Sequence, residues 1–369
     1  MRITRRAALS LAAGASALAM PAIRKARAED AVLNVYNWAD YIGETTIDDF
    51  QAATGIAVTY DTYSSAEEVN AKMLAGSTGY DLVDIASTTM VRFAQAGILQ
   101  KLDKSKLPNW KNLDPQILSI MQSMDPGNEH GVPYMWGSVG ITYNVDMVKE
   151  RLPGADLDSL DTIFKPENAA KLADCGISIL DTSDDVMMMM MRYIGISDPY
   201  AAKTSEYQKV IDVFKPVRKY IKTFDNTNYL NAIPNKELCA INNWSGDYAT
   251  AKARAAEAGV EINLEYHVPK TGSPAWIDTM VIPVDAPHPE NAHKFLDYIM
   301  QPEVIAKCTN FTNYANANLA AKAFIDKAVL ENPAVYPSEE VMKRLFAPQP
   351  TNEEQDREMT RALQTIKSG

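Results

Sequence analysis

The sequence predicts an α/β fold built as two lobes around a hinge. Three features carry that expectation: short β-rich runs alternate with helical ones, the chain is too long for one core, and no low-complexity tether separates its halves. In the first half, Val32 to Tyr36 is β-rich, Thr46 to Ala53 is helical and closed by Gly55, and Ile56 to Tyr63 is extended. Ala66 to Ala75 is helical with Gly76 just past its end, Tyr80 to Ala86 is a third apolar run, and Val91 to Ala96 is helical up to Gly97. Such alternation implies a parallel sheet covered by helices. Val132 to Val145, with Pro133 and two glycines, is extended and reads as a crossing between lobes. A second alternation follows. Ile177 to Leu180 and Leu238 to Asn242 read as strands, and Asp184 to Ile194, Ala201 to Tyr220 and Tyr248 to Ala258 as helices. Ile262 to Val268 and Trp276 to Pro283 are extended, and the chain beyond Pro289 is mostly helical.

Residues 1–28 read as a cleavable export signal. Arg2, Arg5 and Arg6 form a basic start, Ala7 to Met20 is apolar, and Ala26-Arg27-Ala28 offers a cleavage site before Glu29. The Arg5-Arg6 pair leaves both the general secretory and the twin-arginine routes open. The apolar stretch is shorter than the roughly 20 residues that span a bilayer, and no later segment is long and apolar enough. The whole chain carries 36 Lys+Arg against 47 Asp+Glu; loss of the six basic residues of the signal takes the net charge from −11 to −17. An acidic protein repels nucleic acid and anionic lipid and attracts cations.

Catalytic signatures are mostly missing. None of the four histidines, His130, His267, His288 and His293, lies in a metal-ligating or metalloprotease spacing, and there is no nucleophile elbow or phosphate-binding loop. No metal site and no cofactor are expected. Met187 to Met191 would point to every side of a helix, which suits flexible packing rather than a copper site. Cys175, Cys239 and Cys308 permit one disulfide with one thiol over, and the sequence alone does not pair them. Cys308 reads as a small hydrophobe.

Aromatic residues beside acids are more informative. Trp38-Ala39-Asp40-Tyr41 follows the first strand, Trp244-Ser245-Gly246-Asp247 follows another, Trp276-Ile277-Asp278 opens a third, and Asp184-Asp185 comes just after Ile177 to Leu180. In α/β domains, ligands bind beyond the carboxyl ends of strands. Tryptophan with carboxylate suits an organic cation: a charge-assisted hydrogen bond returns roughly 1.5–3 kcal/mol and a cation–π contact about 0.5–2 kcal/mol. A micromolar complex needs about 8 kcal/mol, so one acid is too few and two acidic poles joined by aromatic walls suffice.

These stretches, with Leu74-Ala75-Gly76-Ser77-Thr78-Gly79-Tyr80-Asp81-Leu82-Val83, Leu102-Asp103-Lys104-Ser105-Lys106-Leu107-Pro108, Pro133-Tyr134-Met135-Trp136, Lys165-Pro166-Glu167-Asn168 and Tyr314-Ala315-Asn316-Ala317-Asn318, make the chain resemble the periplasmic putrescine- and spermidine-binding proteins of bacterial polyamine ABC transporters, the putrescine branch above all. The resemblance spans essentially the whole mature chain. It implies the two-lobed periplasmic-binding-protein fold, type II, closing over ligand at a hinge, and a monomer. It implies that Trp38, Trp244 and Trp276 wall the alkyl chain, that Asp40, Asp247 and Asp278 face ammonium groups, that Tyr314 adds a contact and that Asp185 serves the far amine. It also implies a Cys175–Cys239 disulfide. Ala39 and Ala86 stand where putrescine binders often carry serines, Asp185 where relatives often carry Glu, and Trp276 where some carry a smaller aromatic. Asp84 and Asp184 are extra acids near the site that could read a third amine.

The expected division is a first lobe of residues 29–136 and 260–302 and a second of 137–259 and 303–369. The expected function is capture of putrescine or spermidine in the periplasm for an inner-membrane ABC permease, with no nucleic-acid partner. Competing expectations are another cationic amine such as agmatine, and an amine-processing enzyme using an Asp pair as acid and base.

Overall fold

The computed structural model describes residues 31–369, and the export signal expected at 1–28 lies outside the described residues. Strand β1 (Val32–Trp38) pairs in parallel with β2 (Ala57–Tyr63) and β3 (Leu82–Ala86). Helices α1 (Thr46–Thr54) and α2 (Ala66–Ala75) make the crossovers. Gly55, at φ 71°, ends α1 in the left-handed conformation that glycine adopts without strain. The Ser65 side chain accepts the Glu68 N–H and starts α2. Helix α3 (Ser87–Gln95) leaves β3 with no intervening loop.

The chain then leaves this region through β4 (Gly131–Asn144) and returns through β9 (Ser273–Val281). Between them lie β5 (Ile177–Ile179), α4 (Ser183–Tyr193), α5 (Thr204–Val217), β6 (Ile221–Phe224), β7 (Ala240–Trp244), α6 (Ser245–Glu257) and β8 (Leu264–His267). The strands follow one another as β2, β1, β3, β9, β4, β7, β5, β6. The sheet is mixed rather than parallel: β9 is antiparallel to both β3 and β4, and β4 is antiparallel to β7 and β8. Hydrophobic periodicity carries no strand direction, and a chain that crosses out and comes back must place two strands of opposite sense at the crossing. The first half of β4, from Gly131 to Ser138, pairs with β9, and the second half pairs with β7 and β8.

Distinct cores flank this crossing. One gathers Leu33, Val35, Phe50, Met135, Ile282 and Phe295. It extends through helices α7 (Pro289–Ile299) and α8 (Pro302–Thr312) to Val335. The opposite face of the same strands packs Val83, Ile85, Met90 and Val91 into a smaller cluster, as strand alternation requires. The other large core gathers Val139, Ile141, Ile177, Phe214, Ile241 and all of Met187 to Met191. Met359, Ala362, Leu363 and Ile366, one stripe of α9 (Glu353–Ser368), close it. Two features of these cores bear on the expected division: Val304 to Val335 pack with the first core, and Leu264 packs with the second.

Cys175 and Cys239 are bonded, with Cα atoms 5.4 Å apart, and tie together the starts of the neighbouring strands β5 and β7. Cys308 is buried and free. The bridge closes a loop with a sequence separation of 64. Replacing both bonded cysteines by alanine is therefore expected to lower unfolding free energy by about 2–4 kcal/mol. Urea titration of the double variant checks this, and an unchanged midpoint would contradict it.

Candidate functional site: an acidic, aromatic cleft

Four carboxylates converge where the two cores abut. Asp84 on β3 and Asp278 on β9 come from the first side. The ladder sets Asp278 opposite Ala86, so Asp84 and Asp278 are diagonal neighbours on one face of the sheet. Asp185 and Asp247 come from the second side. Each lies in the first turn of a helix, α4 or α6, that follows a strand. There the exposed N–H groups and helix dipole favour negative charge.

Tyrosines and one indole hold these acids. Tyr41 Oη donates to Asp278 Oδ2 at 2.9 Å, and Tyr134 Oη donates to the Tyr41 carbonyl at 2.7 Å. Tyr314 Oη donates to Asp247 Oδ1 at 2.6 Å, and Tyr229 Oη donates to Asp247 Oδ2. Trp244 Nε1 donates to Asp185 Oδ2 at 2.7 Å. Among the described residues, none of the four carboxylates is ion-paired with a Lys, Arg or His.

The aromatic walls join the two sides. Trp244 and Trp276 each pack against both large cores. Trp38 lies 4.5 Å from Tyr63 and 6.5 Å from Trp244, between ring centroids. Tyr314 meets Trp276 edge-on at 5.2 Å and Tyr41 at 5.5 Å. Two glycines make room: a Cβ on Gly246 would stand 2.6 Å from the Tyr314 ring, and one on Gly137 would stand 2.5 Å from Trp276. At another point of contact, Arg92 of α3 pairs with Asp356 of α9. Arg92 also lies within electrostatic range of Asp184.

Burial decides the electrostatics. It pushes the Asp247 carboxyl up to about 6, against the lowering effect of its two tyrosine donors and then of the Arg254 charge. It pushes Asp278 up to about 7, with Tyr41 opposing. Asp185 is raised well above the ordinary carboxyl value by burial and then by the charge of Asp184, with the Trp244 N–H opposing. Asp84 is raised well above it by burial and then by Asp278. Desolvated acids without basic partners are costly unless a cation is supplied from outside.

The structure thus brings together Trp38, Asp185, Trp244, Asp247, Trp276, Asp278 and Tyr314 of the expected set. Asp40 stands apart: it is exposed, at φ 54° in the turn after β1, while its neighbour Tyr41 turns inward to Asp278. Asp and Asn tolerate the left-handed conformation that this turn requires. Sequence reasoning missed Tyr41 and Tyr229 as holders of the acids. Tyr41 stood in the same aromatic–acid stretch, whereas Tyr229 carried no local signal. Among the described residues no group of acids, histidines or cysteines is arranged to hold a metal, and no described helix is long and apolar enough to cross a membrane.

A two-lobed α/β fold with an acidic, aromatic-walled cleft defines a solute-binding protein. The chain belongs to the bacterial extracellular solute-binding protein family, which matches residues 45–337. It is 40% identical over 363 residues to the putrescine-binding periplasmic protein SpuD of Pseudomonas aeruginosa, covering 98% of this chain and 97% of that one. It is likewise 40% identical to the putrescine-binding periplasmic protein PotF of Escherichia coli, covering 96% of each. Among solved structures it is similar to the spermidine/putrescine ABC transporter substrate-binding protein PotD of Streptococcus pneumoniae, with TM-score 0.74 and 26% identity over 91% of this chain and 98% of that one.

The raised acids have a consequence for stability. Their folded values exceed the 3.8 of a free aspartate, so the folded state binds protons more tightly than the unfolded one. The stability they contribute is complete below about pH 4 and is lost as pH rises through 6 and 7. The melting temperature of ligand-free wild type, measured relative to an Asp247→Asn/Asp278→Asn variant, is expected to fall between pH 5 and pH 7.5. A constant difference across that range would contradict the assignment.

Proposed function

We propose that the protein captures a polyamine, putrescine or spermidine, in the periplasm and delivers it to an inner-membrane ABC permease. The observation that carries this reading is the set of half-buried carboxylates, ringed by tryptophan and tyrosine, with which no basic residue of the described chain forms an ion pair. A diamine offers what the cleft lacks: a positive charge and N–H donors at each end, with methylenes between them for the indole walls. The names of the relatives, putrescine-binding and spermidine/putrescine-binding periplasmic proteins, support the same ligand class.

The lobes follow the cores. On this reading one lobe comprises residues 31–137 and 275–335, and the other residues 138–274 and 345–369, with β4, β9 and the connection 336–344 crossing between them. Ligand bridging Asp278 on one side and Asp185 or Asp247 on the other favours the closed arrangement. The ligand is bound and released unchanged. In support, all four histidines are engaged elsewhere: His130 with Asp125, His267 with Asp158 and Glu265, His288 with Asp81, and His293 with the Pro289 carbonyl.

Calorimetry with putrescine, spermidine, agmatine and cadaverine tests the reading. Saturable binding of putrescine or spermidine is expected, and heat from neither would overturn it. Asp247→Ala or Asp278→Ala should cost at least about 2 kcal/mol, roughly 30-fold in Kd. Affinity should also weaken as pH falls from 7.5 to 5.5, because Asp278 and Asp247, at about 7 and about 6, take up protons that compete with the cation. Affinity independent of pH across that interval would contradict the role of these two acids.

A further inference from the structure

Asp84 is one carboxylate that the proposed reading leaves without a task. It is 1% exposed. Its backbone carbonyl accepts the Tyr63 hydroxyl at 2.6 Å, but neither side-chain oxygen meets a donor among the described residues. Buried carboxyl oxygens in folded proteins are almost always bonded, because an unsatisfied one forfeits its hydration for nothing. Local architecture does not account for it: Asp84 lies in mid-strand, where it caps no helix and anchors no turn. The Asn37 amide and the Tyr60 hydroxyl, which lies within electrostatic range of Asp84, give it no hydrogen bond either.

We propose that Asp84 is a second ligand-recognising carboxylate behind Asp278, and that this end of the cleft is built for a primary ammonium shared between the two acids. This inference rests on the cleft being a cation site. The geometry is that of the β3–β9 ladder. Asp84 and Ala86 share a face, Asp278 stands opposite Ala86, and the methyl of Ala86 is the only side chain on that face between Asp84 and the strand's end. Asp278 commits Oδ2 to Tyr41 and keeps Oδ1. A primary ammonium carries three N–H donors on one atom and no acceptor, so it can bond Asp278 Oδ1 and an Asp84 oxygen at once. A trimethylated head has the charge but no donor. Asp84 therefore selects for hydrogen-bonding heads over merely cationic ones, and a larger side chain at position 86 would close its access.

The test compares wild type with Asp84→Val, Asp84→Asn and Asp278→Asn. Asp84→Val keeps the side chain's shape and removes its acceptors. Without ligand it should melt no lower than wild type, since an unsatisfied buried acid is lost. It should bind putrescine at least tenfold more weakly, and the preference for putrescine over its N,N,N-trimethyl derivative should shrink at least fivefold. Asp84→Asn retains one acceptor and should fall between the two; it decides by the same readouts if Asp84→Val does not fold. A lowered melting temperature of the ligand-free variant would mark Asp84 as structural and overturn the inference, as would an unchanged preference. Unchanged putrescine affinity in the Asp84 variants with loss in Asp278→Asn would overturn the role of Asp84 alone. Unchanged affinity in all three would overturn the cation cleft with it.

Discussion

Half-buried carboxylates that form no ion pair among the described residues are the constraint on which the rest of the cleft depends. Asp185, Asp247 and Asp278 are held by O–H and N–H donors, not by lysine or arginine. A neutral donor fixes an acid's position while leaving its charge unneutralised. An internal arginine would stabilise the empty protein and compete with any incoming cation. The site instead keeps charge available, at a cost in stability that is visible as carboxyl values raised toward neutrality. On the proposed reading the ligand supplies the missing charge, and the free energy regained is what drives its binding.

The same contacts link the two cores. Tyr314 belongs to the first core, yet its hydroxyl bonds Asp247 of the second; Trp244 and Trp276 touch both. Gly246 and Gly137 matter because a single methyl at either would collide with the ring that crosses the boundary. The Arg92–Asp356 pair adds an ionic contact between α3 and α9. The strands β4 and β9 cross the same boundary, as does the chain between Val335 and Leu345. A ligand that adds bonds to both sides therefore acts directly on the balance between open and closed forms.

Much of this was legible in the sequence. The alternation of strands and helices was readable to within a few residues because the Leu33/Val35 and Val83/Ile85 patterns and the Gly55 and Gly76 stops are local signals. Acid–aromatic stretches marked Asp247 and Asp278, and an acid pair just after a strand marked Asp185. What was not legible depends on distant contacts. The antiparallel insertion of β9 follows from the chain's return path, which no local pattern records. Tyr41 and Asp278 are 237 positions apart, so their bond has no sequence spacing to betray it. Asp40 and Tyr41 are adjacent in the sequence, and only the fold shows Tyr41 buried against Asp278 while Asp40 lies exposed in a left-handed turn.

The most direct test is a crystal structure of the protein with putrescine bound. Both ligand nitrogens are expected within about 3.2 Å of carboxylate oxygens, one at Asp278 and the other at Asp185 or Asp247, with the methylenes against the indoles. Ligand density outside the cleft, or nitrogens facing neutral groups while these acids stay bonded only to their tyrosines and tryptophan, would contradict it.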